Sequence, residues 1–97
     1  MTKADLVSEI TEKTGIEKIA VQATVESLMT SIIDAMETGE NVYLRGFGSF
    51  IIKTRAEKTG RNISKNTAVK IPAQNIPAFK PAKIFTNSVK AKVEVAQ

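Results

Sequence analysis

The chain has no cysteine and no histidine. Without cysteine there is no disulfide framework, and without either residue the usual zinc, haem and Cys/His-nucleophile sites have no donors. It has no run of about 18 apolar residues, the length that signals a membrane-crossing helix. Its opening stretch, MTKADLVSEI, places acids where a secretory signal peptide needs an unbroken apolar core. A phosphate-cradling glycine motif and a convergent pair of acids are also lacking, so neither an enzyme nor a cofactor nor a metal is expected. No internal repeat or low-complexity segment occurs. What these absences leave is a soluble intracellular protein.

Ninety-seven residues, 42% of them apolar, suffice for one domain with one core. The net charge of +4 conceals a partition. Residues 1–40 carry three lysines against eight acids, a balance of −5; residues 41–97 carry eleven lysines and arginines against Glu57 and Glu94, a balance of +9. Such a field attracts and orients a polyanion, whereas a basic protein that was merely soluble would spread its charge more evenly.

The acidic half reads as two helices. Thr2 followed three residues later by Asp5 is an N-cap signature for a helix over about 3–14, which Gly15 ends. Leu6, Val7 and Ile10 share one face; Asp5, Glu9 and Glu12 share the other, a solvated helix face rather than an acid–base pair. A second helix over about 18–38 stops at Gly39. Along it Val21, Val25, Leu28, Met29, Ile32, Ile33, Ala35 and Met36 cover an arc of roughly 160°, interrupted by Gln22. That is more than one small subunit needs to cover its own core. A homodimer packed through Val25, Leu28, Met29 and Ile32 is expected, with the methionines as packing residues and not ligands.

The basic half changes period. NVYLRG and GSFIIKTRAE read as strands around a turn at Gly46–Phe47–Gly48. NTAVKIPA and NIPAFK read as two more extended pieces, with Pro72 and Pro77 placing them at edges or breaks. Pro81 then opens a short helix over about 82–93, in which Phe85, Val89 and Val93 recur.

Between 53 and 72 the supply of apolar residues nearly stops: six lysines and arginines, one acid, and only Ile63, Val69 and Ile71 as large apolar residues. A ribbon of this kind has no face to bury, so it is expected to project as an arm that an anion holds. A two-stranded ribbon is narrow enough to enter a DNA groove. Ile63, near the tip in GRNISKNT, has two readings. It can wedge between stacked bases from the minor groove, or it can pair across the hairpin with Ala68 or Val69.

Three blocks in order, RGFGSF (45–50), RAEKTGRN (55–62) and IPAFKPAK (76–83), make the chain resemble the bacterial HU/integration host factor family of histone-like DNA-bending proteins over about residues 2–92. The resemblance implies an α+β fold, an intertwined dimer with two N-terminal helices, a small antiparallel sheet with a long protruding β-hairpin arm, and a short C-terminal helix. It implies residues 1–40 for dimerisation, 41–81 for the sheet with its arm, 82–93 for the last helix and 94–97 for a tail without assigned role. By position or by charge it supports Lys53, Arg55, Lys58, Arg61, Asn62, Lys65 and Lys70 as arm contacts, Ile63 as the intercalating wedge, and Lys80 and Lys83 as the saddle under the DNA. Arg45, the Gly46 backbone and Lys3 are further candidates. A phosphate at the last helix's N-terminus would explain Lys83 there, where the macrodipole disfavours a cation.

The implied function is binding and bending of double-stranded DNA with low sequence specificity, in the bacterial nucleoid of the cytoplasm. Bent, nicked or flexible sites would be preferred. The implied assembly is a homodimer, or a heterodimer with a related chain, away from membranes. Sequence-specific binding in the manner of integration host factor is the alternative. At the tip the chain departs from the family's GRNP-x-T-G: Ile63 stands where proline is usual, without proline's fixed φ and rigid ring. Ala82 replaces a common glycine.

RGFGSFII also resembles the signature of an RNA-binding strand, but Phe47 and Phe50 are three apart where base-stacking aromatics are two apart. Phe47, Phe50 and Phe79 are therefore expected to form a packed cluster at the base of the arms. A scaffold whose basic arm grips an acidic protein is the remaining rival.

Overall fold

The computed structural model describes residues 1–62 and 67–95, with the backbone alone at 61, 62 and 67–69. The element order is α1 (Lys3–Thr14), α2 (Lys18–Glu37), β1 (Val42–Leu44), β2 (Gly48–Arg55), β3 (Lys58–Asn62), β4 (Thr67–Ile71), β5 (Gln74–Pro81) and α3 (Lys83–Lys92). This is the α+β order expected from the periodicities.

The first helix starts where its cap dictates. The Thr2 hydroxyl accepts from the Asp5 N–H at 3.3 Å, and the Asp5 carboxylate accepts from the Thr2 N–H at 2.8 Å. The Thr2 N–H bond foremost, with a second donated by the Thr2 hydroxyl to Asp5 Oδ2 at 3.0 Å, holds the Asp5 carboxyl below the usual carboxylate range. Gly15 ends the helix at φ 74°, in the left-handed region that glycine enters without strain. The second helix ends in a paired motif: Gly39 N–H donates to the Met36 carbonyl at 3.0 Å and Glu40 N–H to the Ala35 carbonyl at 3.2 Å.

α1 and α2 pack together, yet among the described residues Val7 and Val21 are the only buried hydrophobic side chains. Of the expected α1 face, Val7 is buried, Ile10 half-buried and Leu6 exposed. On α2, Leu28, Met29 and Ile33 keep 52%, 41% and 56% of their surface open, while Val25, Ile32 and Met36 are half-buried. The radius of gyration is 19.3 Å, against about 12.5 Å for a compact chain of this length.

Strands β1, β2 and β5 form an antiparallel sheet in that order, and β3 with β4 forms a separate two-stranded one. Residues 45–47 make the turn between β1 and β2, so Gly48 begins the strand instead of closing the turn. Pro77 lies on the edge strand β5 opposite Ile52, where its missing N–H costs the ladder nothing. The expected hairpin has a joint. Pairing runs from Gly48↔Pro81 to Arg55↔Gln74, lapses at Ala56–Glu57 against Pro72–Ala73, and resumes from Lys58↔Ile71 to Asn62↔Thr67. Pro72, which cannot donate, sits in the lapse.

Pro81 closes β5 instead of opening the last helix. The Ala82 N–H is drawn 2.8 Å from the Phe47 carbonyl, which keeps Ala82 outside the helix as its N-cap and makes Lys83 the first helical residue.

Candidate nucleic-acid interface

Alternation along β2 gives the sheet two unlike faces. Phe50, Ile52 and Thr54 share one. There the Phe50 and Phe79 ring centroids lie 4.9 Å apart, and the Thr54 hydroxyl is 2.7 Å from Asn75 Oδ1. Ser49, Ile51, Lys53 and Arg55 share the other, with Lys80 opposite Ser49, Ile76 opposite Lys53 and Gln74 opposite Arg55. Lys53, Arg55 and Lys80 are exposed. Thus the cations line one face and the aromatic residues pack on the reverse.

The expected cluster of Phe47, Phe50 and Phe79 is present, and it is larger than three rings. Phe47 lies 5.3 Å from Phe79 and stacks on Phe85 at 5.4 Å. Phe85 is the member that sequence reasoning assigned only to a helix face; its spacing from Val89 and Val93 gave no hint of contact with the β1–β2 turn. Because Phe47 lies in that turn and not on the strand, it reaches the same ring as Phe50. The two are turned on Phe79 and not set out as a row for stacking bases.

Beside the cationic face is a shallow recess of about 340 Å³ that brings Arg45, Gly46, Lys80 and Lys83 together, with Tyr43 and Ser49 completing its wall. Tyr43, Ser49 and Lys80 form one cross-strand row. Tyr43 is 70% exposed, and only the register reveals that it belongs here. The first turn of α3, which opens onto this recess, contains no acid, and Ala82 supplies no side-chain cap. The α1 N-terminus is the opposite case, closed by its own Thr2 and Asp5. A helix N-terminus left open among three cations suits an anion.

Two candidate cations are already engaged. Lys3 Nζ is 3.0 Å from Glu26 Oε1, and with Gln22 it holds the Glu26 carboxyl below the usual range; the Lys3 hydrogen bond is the larger cause. Lys70 Nζ is 2.9 Å from Glu57 Oε1. Lys58 is exposed on β3. Arg61 and Asn62 are placed by backbone register opposite Ala68 and Thr67. Ile63 and Lys65 lie outside the described residues. The register pairs Ala68 with Arg61 and Val69 with Gly60.

A sequence profile described as bacterial DNA-binding protein matches residues 1–90. The chain belongs to that family. It is 40% identical over 92 residues to the SPbeta prophage-derived DNA-binding protein HU 2 of Bacillus subtilis, covering 95% of this chain and 100% of the relative. With the DNA-binding protein HU of Thermus thermophilus it shares 40% identity over 90 residues, 93% of each. Its fold is similar to that of HU in the Anabaena HU–DNA cocrystal structure, with a TM-score of 0.85 at 37% identity over 92% of this chain and 97% of that one. Among the described residues no helix is long and apolar enough to cross a membrane.

Proposed function

We propose that this HU-family chain is a histone-like architectural protein that binds double-stranded DNA with little regard to sequence and bends it. The observation that carries the reading is the two-faced sheet. Lys53, Arg55 and Lys80 share a face continuous with the Arg45–Lys83 recess, while the aromatic cluster occupies the reverse. The solved relative with a similar fold was crystallised with DNA.

The work divides along the chain, which acts as one unit. Residues 1–40 assemble two copies through the open α2 face, including Val25, Leu28, Met29 and Ile32, with Phe47, Phe50 and Phe79 extending that core under the sheet. Residues 41–81 form the saddle and the arm, 82–93 the anion-accepting last helix. DNA lies on Lys53, Arg55 and Lys80, and a phosphate seats in the recess against Arg45, Gly46, Lys83 and the α3 N-terminus. Lys58, Arg61, Asn62 and Lys65 continue the contact along the minor groove, where base edges carry a degenerate code. Lys3 joins once Glu26 releases it, whereas Lys70 stays with Glu57. Ile63 enters between base pairs and kinks the duplex, which makes nicked or flexible DNA the preferred site. The protein then resides with the chromosome in the nucleoid, as a homodimer or with a related chain.

Affinity comes from counterion release, so it falls steeply with salt. The test is equilibrium binding to a labelled duplex of random sequence between 50 and 200 mM salt. A loss of about 10³–10⁵ in affinity is expected for six to ten phosphate contacts. Absence of binding, or binding indifferent to salt, contradicts the reading.

A further inference from the structure

Glu57 is the only acid between Asn41 and Val93. It stands at the joint of the arm, in the two-residue lapse between β2 and β3. Its Oε1 lies 2.9 Å from Lys70 Nζ, on the opposite strand. Register explains the contact. Lys70 is paired with Thr59, and Glu57, two residues before Thr59, is therefore the diagonal cross-strand neighbour of Lys70. The ion pair spans the place where the ladder is interrupted, so it ties the ribbon β3–β4 to the segment that leads out of the body. Both partners remain open to solvent, with side-chain exposures of 77% for Lys70 and 48% for Glu57. An exposed pair of this kind is worth little on its own, but a competing anion must break it before it gains the lysine.

We propose that Glu57 is an affinity-setting residue of the arm: it occupies Lys70 as an internal substitute for phosphate, and so withholds one cation from DNA. This rests on the DNA-binding reading above. Phosphate must compete with a carboxylate already in place, and Lys70 adds little to wild-type affinity or to its salt dependence. A single acid in an otherwise cationic arm thereby lowers the affinity of the whole surface. It also steadies the joint while the arm is free.

The experiment compares the full-length protein with Glu57→Gln, Lys70→Gln and the double variant, measuring duplex affinity across a salt series. Both side chains are exposed, and thermal melting of each variant checks that the fold is kept. Glu57→Gln is expected to bind about two- to five-fold more tightly. Its salt slope should steepen by about 0.9, the increment of one further phosphate contact. Lys70→Gln alone should change the slope little, and in the Glu57→Gln background it should abolish the gain. Three results overturn the proposal: an unchanged Glu57→Gln, a gain that persists when Lys70 is also replaced, or a Lys70→Gln protein whose slope is already shallower by about 0.9. The persistent gain would assign Glu57 to general repulsion. Failure of the wild type to bind is a different outcome, which removes the DNA-binding reading beneath the proposal.

Discussion

Gly48 and Phe79 compete for the same space: a Cβ at position 48 would stand 2.5 Å from Phe79 Cζ and 2.7 Å from the Lys80 carbonyl oxygen. The ring cannot readily swing away, because it is in contact with Phe47 and Phe50 at centroid distances of 5.3 and 4.9 Å. The glycine in RGFGSF is thus required by the packing beneath it, and not by the turn beside it. Gly48→Ala should lower stability by about 1–3 kcal/mol, the usual cost of overpacking. In a domain of this size that corresponds to a fall in Tm of about 4–8 °C for each kcal/mol. An unchanged melting curve would show that the cluster yields.

The open face of α2 makes a second prediction. Leu28 is 52% exposed in the single chain, and an ordinary surface position tolerates substitution within about 0.5 kcal/mol. If two copies pack there, Leu28→Asp buries an unpaired charge and prevents assembly. Analytical ultracentrifugation should show the wild type at twice the chain mass and the variant at the mass of one chain. A well-folded monomeric wild type would refute the dimer.

Why the helices and the cluster could be read in advance, and the joint could not, follows from the range of the interactions. The Thr2–Asp5 cap and the Gly15 and Gly39 stops are local, decided within a few residues by hydrogen bonding and φ. The cluster of Phe47, Phe50 and Phe79 declared itself because the first two are three residues apart, a spacing that does not suit base stacking. Phe85 did not, because its contact with Phe47 joins residues far apart in sequence. Tyr43 joined the cationic face only through register with Ser49 and Lys80. Pro72 signalled a break, but the pairing of Glu57 with Lys70 depends on which residues face each other across it. Composition counted Lys3 and Lys70 as free cations; geometry shows each beside a carboxylate.

Acid should weaken the protein from its N-terminal half. Asp5 and Glu26 have carboxyls lowered below the ordinary range by hydrogen bonds from Thr2 and Lys3 respectively. A lowered folded-state pKa means a contribution fully present above the unfolded carboxylate pKa and lost as pH falls through the folded value. Stability should therefore decline below the ordinary carboxylate range. In Lys3→Ala the Glu26 carboxyl should titrate at higher pH by NMR. An unmoved Glu26 titration would mean that Lys3 does not hold it in solution.

If Ile63 is the wedge proposed above, its truncation separates affinity from bending. On nicked DNA, where unstacking is already paid, Ile63→Ala should retain most of the wild-type affinity; on intact duplex it should bend less. Equal bending by the variant would return Ile63 to a structural role.

The most direct test of the account is the end-to-end distance of a short duplex labelled at both ends, followed by energy transfer with and without the protein across a salt series, beside a nicked duplex of the same sequence. The expected result is shortening that salt abolishes and that sets in at lower protein concentration on the nicked duplex. Binding without shortening would contradict it, leaving a cationic protein that coats DNA and does not bend it.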